Sequence, residues 1–109
     1  MASPSIASLE KLLGTPRDGA LLRFSLGMEH TKLGESPKAI EYFRAAVARD
    51  PGYSAAWRAL GKALEGAGDD AAALTAYKEG IAAAEKKGDK QAGKEMSVFA
   101  RRIEKRNPA

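Results

Sequence analysis

Residues 57–77 read WRALGKALEGAGDDAAALTAY, and this stretch decides the fold because it repeats the pattern of residues 23–43, RFSLGMEHTKLGESPKAIEYF, 34 positions earlier. The two copies share a Leu-Gly pair, a second glycine, an alanine and an aromatic residue. The matched pairs are Leu26 with Leu60, Gly27 with Gly61, Gly34 with Gly68, Ala39 with Ala73, and Phe43 with Tyr77. A fixed period of this length predicts a chain built from repeated structural units.

The small residues of the pattern have a steric explanation. Gly27 and Gly61 lie inside helical patterns, where glycine costs about 1 kcal/mol relative to alanine. We therefore expect a close contact at each glycine, and we expect Ala39 and Ala73 to let antiparallel helix backbones approach there as well. The large residues predicted to fill the volume on either side are Phe43, Trp57 and Tyr77.

The series Trp57-x2-Leu60-Gly61-x2-Leu64, followed by Ala73 and Tyr77, resembles the tetratricopeptide repeat (TPR) family. The resemblance implies an all-α fold in one domain, residues 1–109, with about six helices in a right-handed stack of antiparallel pairs. The segments are an N-terminal half-repeat helix and linker (4–17), repeat 1 (20–53), repeat 2 (54–87) and a C-terminal capping helix (89–106). Such a protein binds other proteins, so the resemblance implies a protein interaction module.

Helix ends are marked by capping residues and by glycine or proline. The first helix is predicted over residues 4–13. Asp18 is expected to cap the second helix, Ser36 the third, Asp69 or Asp70 the fifth, and Asp89 the sixth and last. Glu85 stands where the first repeat has Pro51, so the fifth helix is predicted to be about one turn longer than its counterpart, the third.

In the TPR family the first helices of successive repeats line a concave groove that receives a peptide or a helix. The corresponding positions here are Leu21, Phe24, Met28, Arg58 and Lys62. The apolar members suit a side chain of the partner, and the two cations suit an acidic segment or a terminal carboxylate. Two other readings stay open: Leu21 and Phe24 could pack beneath the first helix, and the cations could form a solvated face.

Met96 and Phe99 do not fit the strict repeat. If the 34-residue period continued unchanged into the last helix, both side chains would lie on the face that lines the groove. Either the longer fifth helix shifts the phase and turns them inward, which we favour, or they form an apolar patch for a partner or for a second copy of the chain. The second possibility makes a homodimeric scaffold the main alternative function.

Basic residues are concentrated in residues 86–106, where eight basic against three acidic residues leave a local charge of +5. A solvated cap that complements the helix dipole explains this charge best. Binding of nucleic acid or of an anionic surface is a minor alternative.

The composition argues against several other classes of protein. Cysteine is absent and His30 is the single histidine, so thiolate sites and multi-histidine metal sites are excluded. His30 is expected to pack between helices, and no nucleophile, carboxylate pair or phosphate-binding loop is recognisable, so we expect no catalysis and no cofactor. With no leader-like or membrane-spanning stretch in the sequence, a cytoplasmic protein is the expectation.

Overall fold

A computed structural model of the chain describes residues 4–107 and contains helices joined by short turns. The helices are α1 (Pro4–Glu10), α2 (Ala20–Lys32), α3 (Ser36–Arg49), α4 (Ser54–Gly66), α5 (Asp70–Lys87) and α6 (Lys90–Arg106). Within residues 4–107 there are six helices and no strands, so the predicted all-α class is confirmed.

The helices pack in the order in which the chain makes them. α2 with α3 and α4 with α5 form two hairpins, α3 also packs on α4, and α6 packs along α5. The first helices of the units meet as well, because α2 contacts α4 and α4 contacts α6. α2, α4 and α6 are therefore neighbours on one side of the stack.

Gly27 and Gly61 are packed against aromatic rings. A Cβ atom at Gly27 would lie 2.5 Å from Cε1 of Phe43, and one at Gly61 would lie 2.6 Å from Cδ1 of Tyr77. Both rings are almost fully buried. The expected close contact exists, but its nearest atoms belong to a ring on the second helix rather than to a helix backbone, which corrects the reason expected from the sequence.

The longer α5 changes the register of α6. α5 has 18 residues and α3 has 14, so the predicted extra turn is present. α6 begins 36 residues after α4 does, two more than the repeat period. Met96 thereby takes the buried position that Leu60 has in α4, with exposed fractions of 0% and 1%.

Met96 lies beside Gly80 and Trp57 on the inside of the stack. A Cβ atom added at Gly80 would collide with the Met96 sulfur and lie 2.8 Å from Cβ of Trp57. The inward orientation favoured from the sequence therefore describes Met96. The alternative that presents Met96 to a partner is wrong for this residue. Phe99 is half-buried, with its ring centroid 5.5 Å from that of Tyr77.

Two of the predicted caps are present. The Asp69 and Asp89 carboxylates each accept a hydrogen bond of 3.1 Å, from the N–H groups of Ala72 and Ala92 respectively. Ser36 is instead the first residue of α3, whose N-cap position belongs to Glu35 and carries no side-chain cap. The Glu35 carboxylate lies 2.8 Å from Nδ1 of His30.

Asp18 does not cap α2 either, because Gly19 occupies that position. Its carboxylate accepts a hydrogen bond of 2.9 Å from the N–H of Gly14 and pairs with Arg23 at 2.8 Å. The hydrogen bond from Arg23, followed by that from Gly14, holds the pKa of Asp18 well below its usual value. Asp18 thus ties the linker to α2.

The N-terminal segment covers α2, as expected for a half-repeat. Ile6 of α1 packs with Leu22 and Leu26 of α2 in a small apolar cluster, which Leu9 also contacts. α1 itself is shorter than predicted, because residues 11–14 form turns that end at Gly14, where φ is +77°.

Candidate functional site

A cavity of about 340 Å³ lies between α2 and α4, with α3 beneath it. We call it the α2–α4 groove. Four of the five residues predicted to line a groove meet in it: Phe24, Met28, Arg58 and Lys62. The other lining residues are Thr31, Ser36, Ala39, Phe43, Ala55, Ala59, Ala63 and Gly66.

Phe24 is held by two other aromatic side chains. Its ring centroid lies 5.8 Å from that of Phe43 and 5.1 Å from that of Tyr53, in tilted arrangements typical of stable aromatic pairs. Met28 is one turn further along α2 and is 40% exposed. The wall from α2 therefore combines a fixed ring with a flexible thioether side chain that adapts to the shape of a ligand.

The opposite wall is formed by small residues of α4. Ala55, Ala59 and Ala63 follow one another at intervals of four residues, and they therefore lie along one face of the helix. Their methyl groups leave the space that larger side chains would fill. Ala63 and Gly66 were missed as lining residues, although Ala63 continues the four-residue spacing and could have been found from it.

Both cations of the groove are engaged by α6. Nε of Arg58 lies 2.9 Å from a carboxylate oxygen of Glu95, but the N–H is not aligned well enough to count as a hydrogen bond. Nζ of Lys62 lies 4.3 Å from the centroid of the Phe99 ring, a cation–π contact. The sequence did not predict a role for Glu95, and it indicated Phe99 only as a candidate patch residue, because the contacts of both depend on the register of α6.

Leu21 is not part of the groove, which corrects the sequence prediction. Its side chain is 68% exposed, and the residue lies outside the lining of the α2–α4 groove. Its neighbour Leu22 is the one that turns beneath α1. Of the two residues that could have packed under α1, only Phe24 borders it, across a shallow cavity shared with Leu9.

His30 has the surroundings of a packing residue. It is 5% exposed, and its ring stacks on Tyr42 with centroids 5.4 Å apart. Nε2 has no hydrogen-bond partner among the described residues. Over residues 4–107 no three His, Cys, Asp or Glu side chains come together in a way that could hold a metal ion.

Part of the basic charge near the C-terminus is used within the molecule. Arg106 bonds the carboxylates of Glu65 and Asp70 at 3.0 and 3.2 Å, and Asn107 donates to Asp70 at 2.9 Å. These contacts fasten the end of α6 to α4 and α5. They also lower the pKa of Asp70, chiefly through the hydrogen bonds from Asn107 and Arg106.

No helix in the described part of the chain has the length and apolar character needed to cross a membrane.

Comparison with known proteins agrees with this architecture. A family model described as tetratricopeptide repeat matches residues 7–88. A TPR repeat-containing protein of Pseudomonas aeruginosa is 47% identical over 100 residues, which cover 92% of this chain and 95% of that protein.

Solved structures lead to the same family. A protein of Bordetella parapertussis, solved in solution, is 41% identical, with a TM-score of 0.80 over 98% of this chain and 92% of its own. The TPR domain of Sgt2 from Aspergillus fumigatus is 29% identical, with a TM-score of 0.78 over 96% of this chain and 70% of its own. The chain therefore belongs to the tetratricopeptide repeat family, whose members generally serve as protein–protein interaction modules.

Proposed function

We propose that this protein binds a segment of another protein in the α2–α4 groove. The observation that carries the proposal is the meeting of Phe24 and Met28 with Arg58 and Lys62 around one apolar cavity. A segment with a large apolar side chain next to a carboxylate is the ligand that this combination fits best. The apolar side chain would lie against Phe24 and Met28, and the carboxylate would meet Lys62.

Preorganisation supports the proposal. Phe24 is held by Phe43 and Tyr53, and Lys62 is positioned by Phe99, so these side chains lose little conformational freedom when a ligand arrives. Arg58 is available in part, because its side chain is 43% exposed although Nε lies against Glu95. A carboxylate on the ligand would therefore compete with Glu95 for Arg58 and would find Lys62 without a carboxylate partner among the described residues.

The main rival, a homodimeric scaffold, loses one of its two candidate contact residues because Met96 is fully buried, whereas Phe99 is only half-buried. Nucleic acid stays a minor alternative, and Arg106 contributes little to it because its side chain already pairs with two carboxylates. We propose that the protein acts by binding without catalysis or a cofactor, as TPR proteins generally do. On composition alone, we also propose a cytoplasmic location.

A peptide selection tests the groove directly. Random peptides displayed on phage are selected on the wild-type protein, and the enriched sequences are synthesised. We expect them to combine a large apolar residue with Asp or Glu. Their affinity is then measured by fluorescence anisotropy for the wild type and for Met28→Glu, where we expect a loss of about tenfold or more, because the charge enters the apolar wall and repels the ligand.

The matched control is Leu21→Glu, which adds the same charge to an exposed apolar position two turns earlier on the same helix but outside the groove. We expect it to bind like the wild type. Equal losses for Met28→Glu and Leu21→Glu, or failure to enrich any peptide, would contradict the proposal.

A further inference from the structure

The two complete repeats share one packing device. In each, a glycine of the first helix leaves a space that an aromatic ring of the second helix fills, as Phe43 does at Gly27 and Tyr77 at Gly61. These two hairpins show what the corresponding position of α6 would receive if a second helix followed it.

Ser97 occupies that position in α6. In the shifted register Met96 of α6 corresponds to Leu60 of α4, so the next residue, Ser97, corresponds to Gly61. Each of these next residues lies about 100° further around its helix axis than the buried residue before it. Within residues 4–107 no second helix packs against α6 on this side. Ser97 instead lines an open cavity.

This cavity, the α5–α6 groove, has a volume of about 420 Å³. Its floor is formed by Ile81 and Ala84 of α5 together with Gly93 and Ser97 of α6. The floor is low at Gly93, where even an added Cβ atom would only reach van der Waals contact, 3.8 Å from Cβ of Ala84. The groove shares no lining residue with the α2–α4 groove.

The rim of the α5–α6 groove is basic. Lys90, Lys94 and Arg101 line it and make no ion pair with any residue that the structure describes. Two acidic residues also line the groove, Glu85 and Asp89, and the Asp89 carboxylate accepts the cap hydrogen bond of α6. With three basic against two acidic side chains, the lining of the groove carries a net positive charge.

The complete hairpin indicates the charge that a partner should carry. In repeat 2 the Tyr77 hydroxyl donates a hydrogen bond of 2.6 Å to Glu65. In the shifted register Arg101 takes the place of Glu65. A helix that lies on α6 as α5 lies on α4 would meet a cation there, so an acidic group on that helix would be complementary.

We propose that the α5–α6 groove docks an amphipathic helix of another protein. The helix places an aromatic side chain over Ser97 and Gly93 and directs acidic residues to Lys90, Lys94 and Arg101. Burial of the ring provides affinity, and the charges steer and orient the helix. This surface is independent of the α2–α4 groove, so each can be tested without the other.

The helix that fills the equivalent position in this chain provides the probe. A synthetic peptide of residues 69–88 is made with glutamate in place of Lys78, Lys86 and Lys87, and is titrated into the 15N-labelled full chain. We expect saturable shifts at the amides of Ile81, Gly93 and Ser97. A second peptide that also carries Tyr77→Ala should bind about 30-fold more weakly, as loss of an interface anchor implies.

Variants of the full chain localise the binding. Ser97→Phe places a ring in the groove and should abolish the shifts, with circular dichroism checking that the variant is folded. Lys94→Glu changes an exposed residue and should weaken binding by about fivefold. Lys38→Glu, an exposed lysine of α3, is the matched control and should bind like the wild type.

Other outcomes would overturn the proposal. Absence of saturable binding, shifts confined to Phe24 and Met28, or binding that survives Ser97→Phe would each exclude a helix at this surface. Tighter binding of a short DNA duplex at the same amides would identify phosphate as the ligand instead. Concentration-dependent sedimentation of the chain alone, lost in Ser97→Phe, would identify the occupant as a second copy.

Discussion

The α4–α5 hairpin and the single helix α6 place equivalent residues in different surroundings. Gly61 is covered by the Tyr77 ring, whereas Ser97, its equivalent in α6, lines an open groove. In the covered position no space remains for a side chain. The comparison shows that this position of a first helix requires glycine where a ring from the second helix covers it, and accepts serine where no second helix packs against it.

The largest effect is expected when the ring itself is removed. Tyr77 is fully buried, so Tyr77→Ala should lower the free energy of unfolding by about 3–5 kcal/mol, through lost apolar contact and the cavity left behind. Tyr77→Phe keeps the ring and loses only the hydrogen bond to Glu65, so it should cost about 1 kcal/mol. Urea unfolding followed by circular dichroism measures both, and similar costs would contradict the packing argument.

A smaller loss is expected from the glycine beneath the ring. Gly61→Ala gains helix propensity, but its methyl group would overlap the Tyr77 ring, which is buried and has no room to move. Overpacking of this kind costs about 1–3 kcal/mol, so we expect net destabilisation in the same urea experiment. Gly27→Ala should be destabilised in the same way, because the Phe43 ring lies against Gly27 as the Tyr77 ring lies against Gly61. Unchanged or increased stability in both variants would show that the rings can move aside for the methyl group.

The opposite change in the free energy of unfolding is expected when Gly93 of α6 is replaced. An added methyl group there reaches only ordinary contact distance from Ala84, so Gly93→Ala should raise the free energy of unfolding by about 0.5–1 kcal/mol through helix propensity. A thermal melt beside that of Gly61→Ala gives the direct comparison. If both variants are destabilised, the distinction between covered and open positions fails.

The smallest effect is expected at the other end of the stack, where Asp18 ties the linker to Arg23. The folded state lowers the pKa of this carboxyl below 3.8, so the charged form stabilises the fold at neutral pH. That contribution should decline as pH falls below about 4, through the folded-state pKa. Asp18→Asn should therefore be less stable than the wild type at pH 7.

Urea titrations at two pH values test this prediction. The difference between wild type and Asp18→Asn should shrink markedly at about pH 2, because the unfolded wild-type chain is then protonated at Asp18 and folding has to release that proton. A difference of the same size at both pH values would show that the charge of Asp18 does not matter. Ser36→Ala is a useful comparison, because that hydroxyl makes no cap hydrogen bond.

Much of the molecule could be predicted from local signals. The 34-residue period and the punctuation by glycine and proline predicted the six helices and the longer α5. Helical spacing placed Phe24 and Met28 on one face of α2, and Arg58 and Lys62 on one face of α4, and these four residues lie in one cavity. Whether that cavity binds a partner stays a prediction.

The errors concern contacts between parts of the chain. Asp18 has the chemistry of an N-cap, but Arg23 and Gly14 compete for its carboxylate and hold it in the linker. Leu21 has the chemistry of a groove residue, but the rotation of α2 beneath α1 directs Leu22 inward and Leu21 outward. The pattern of residue types does not predict how a helix is rotated about its axis or which neighbours compete for a side chain.

The sequence by itself determined the repeated hairpins, because spacing of small and large residues and helix-ending residues act over a few turns of chain. Only the tertiary structure decided which residues hold Arg58 and Lys62, and which surface of α6 stays open. Those features depend on how far α6 is turned against α5, and that rotation results from packing Met96 against Gly80 and Trp57 across the stack. Such a balance of contacts between distant residues has no local signature.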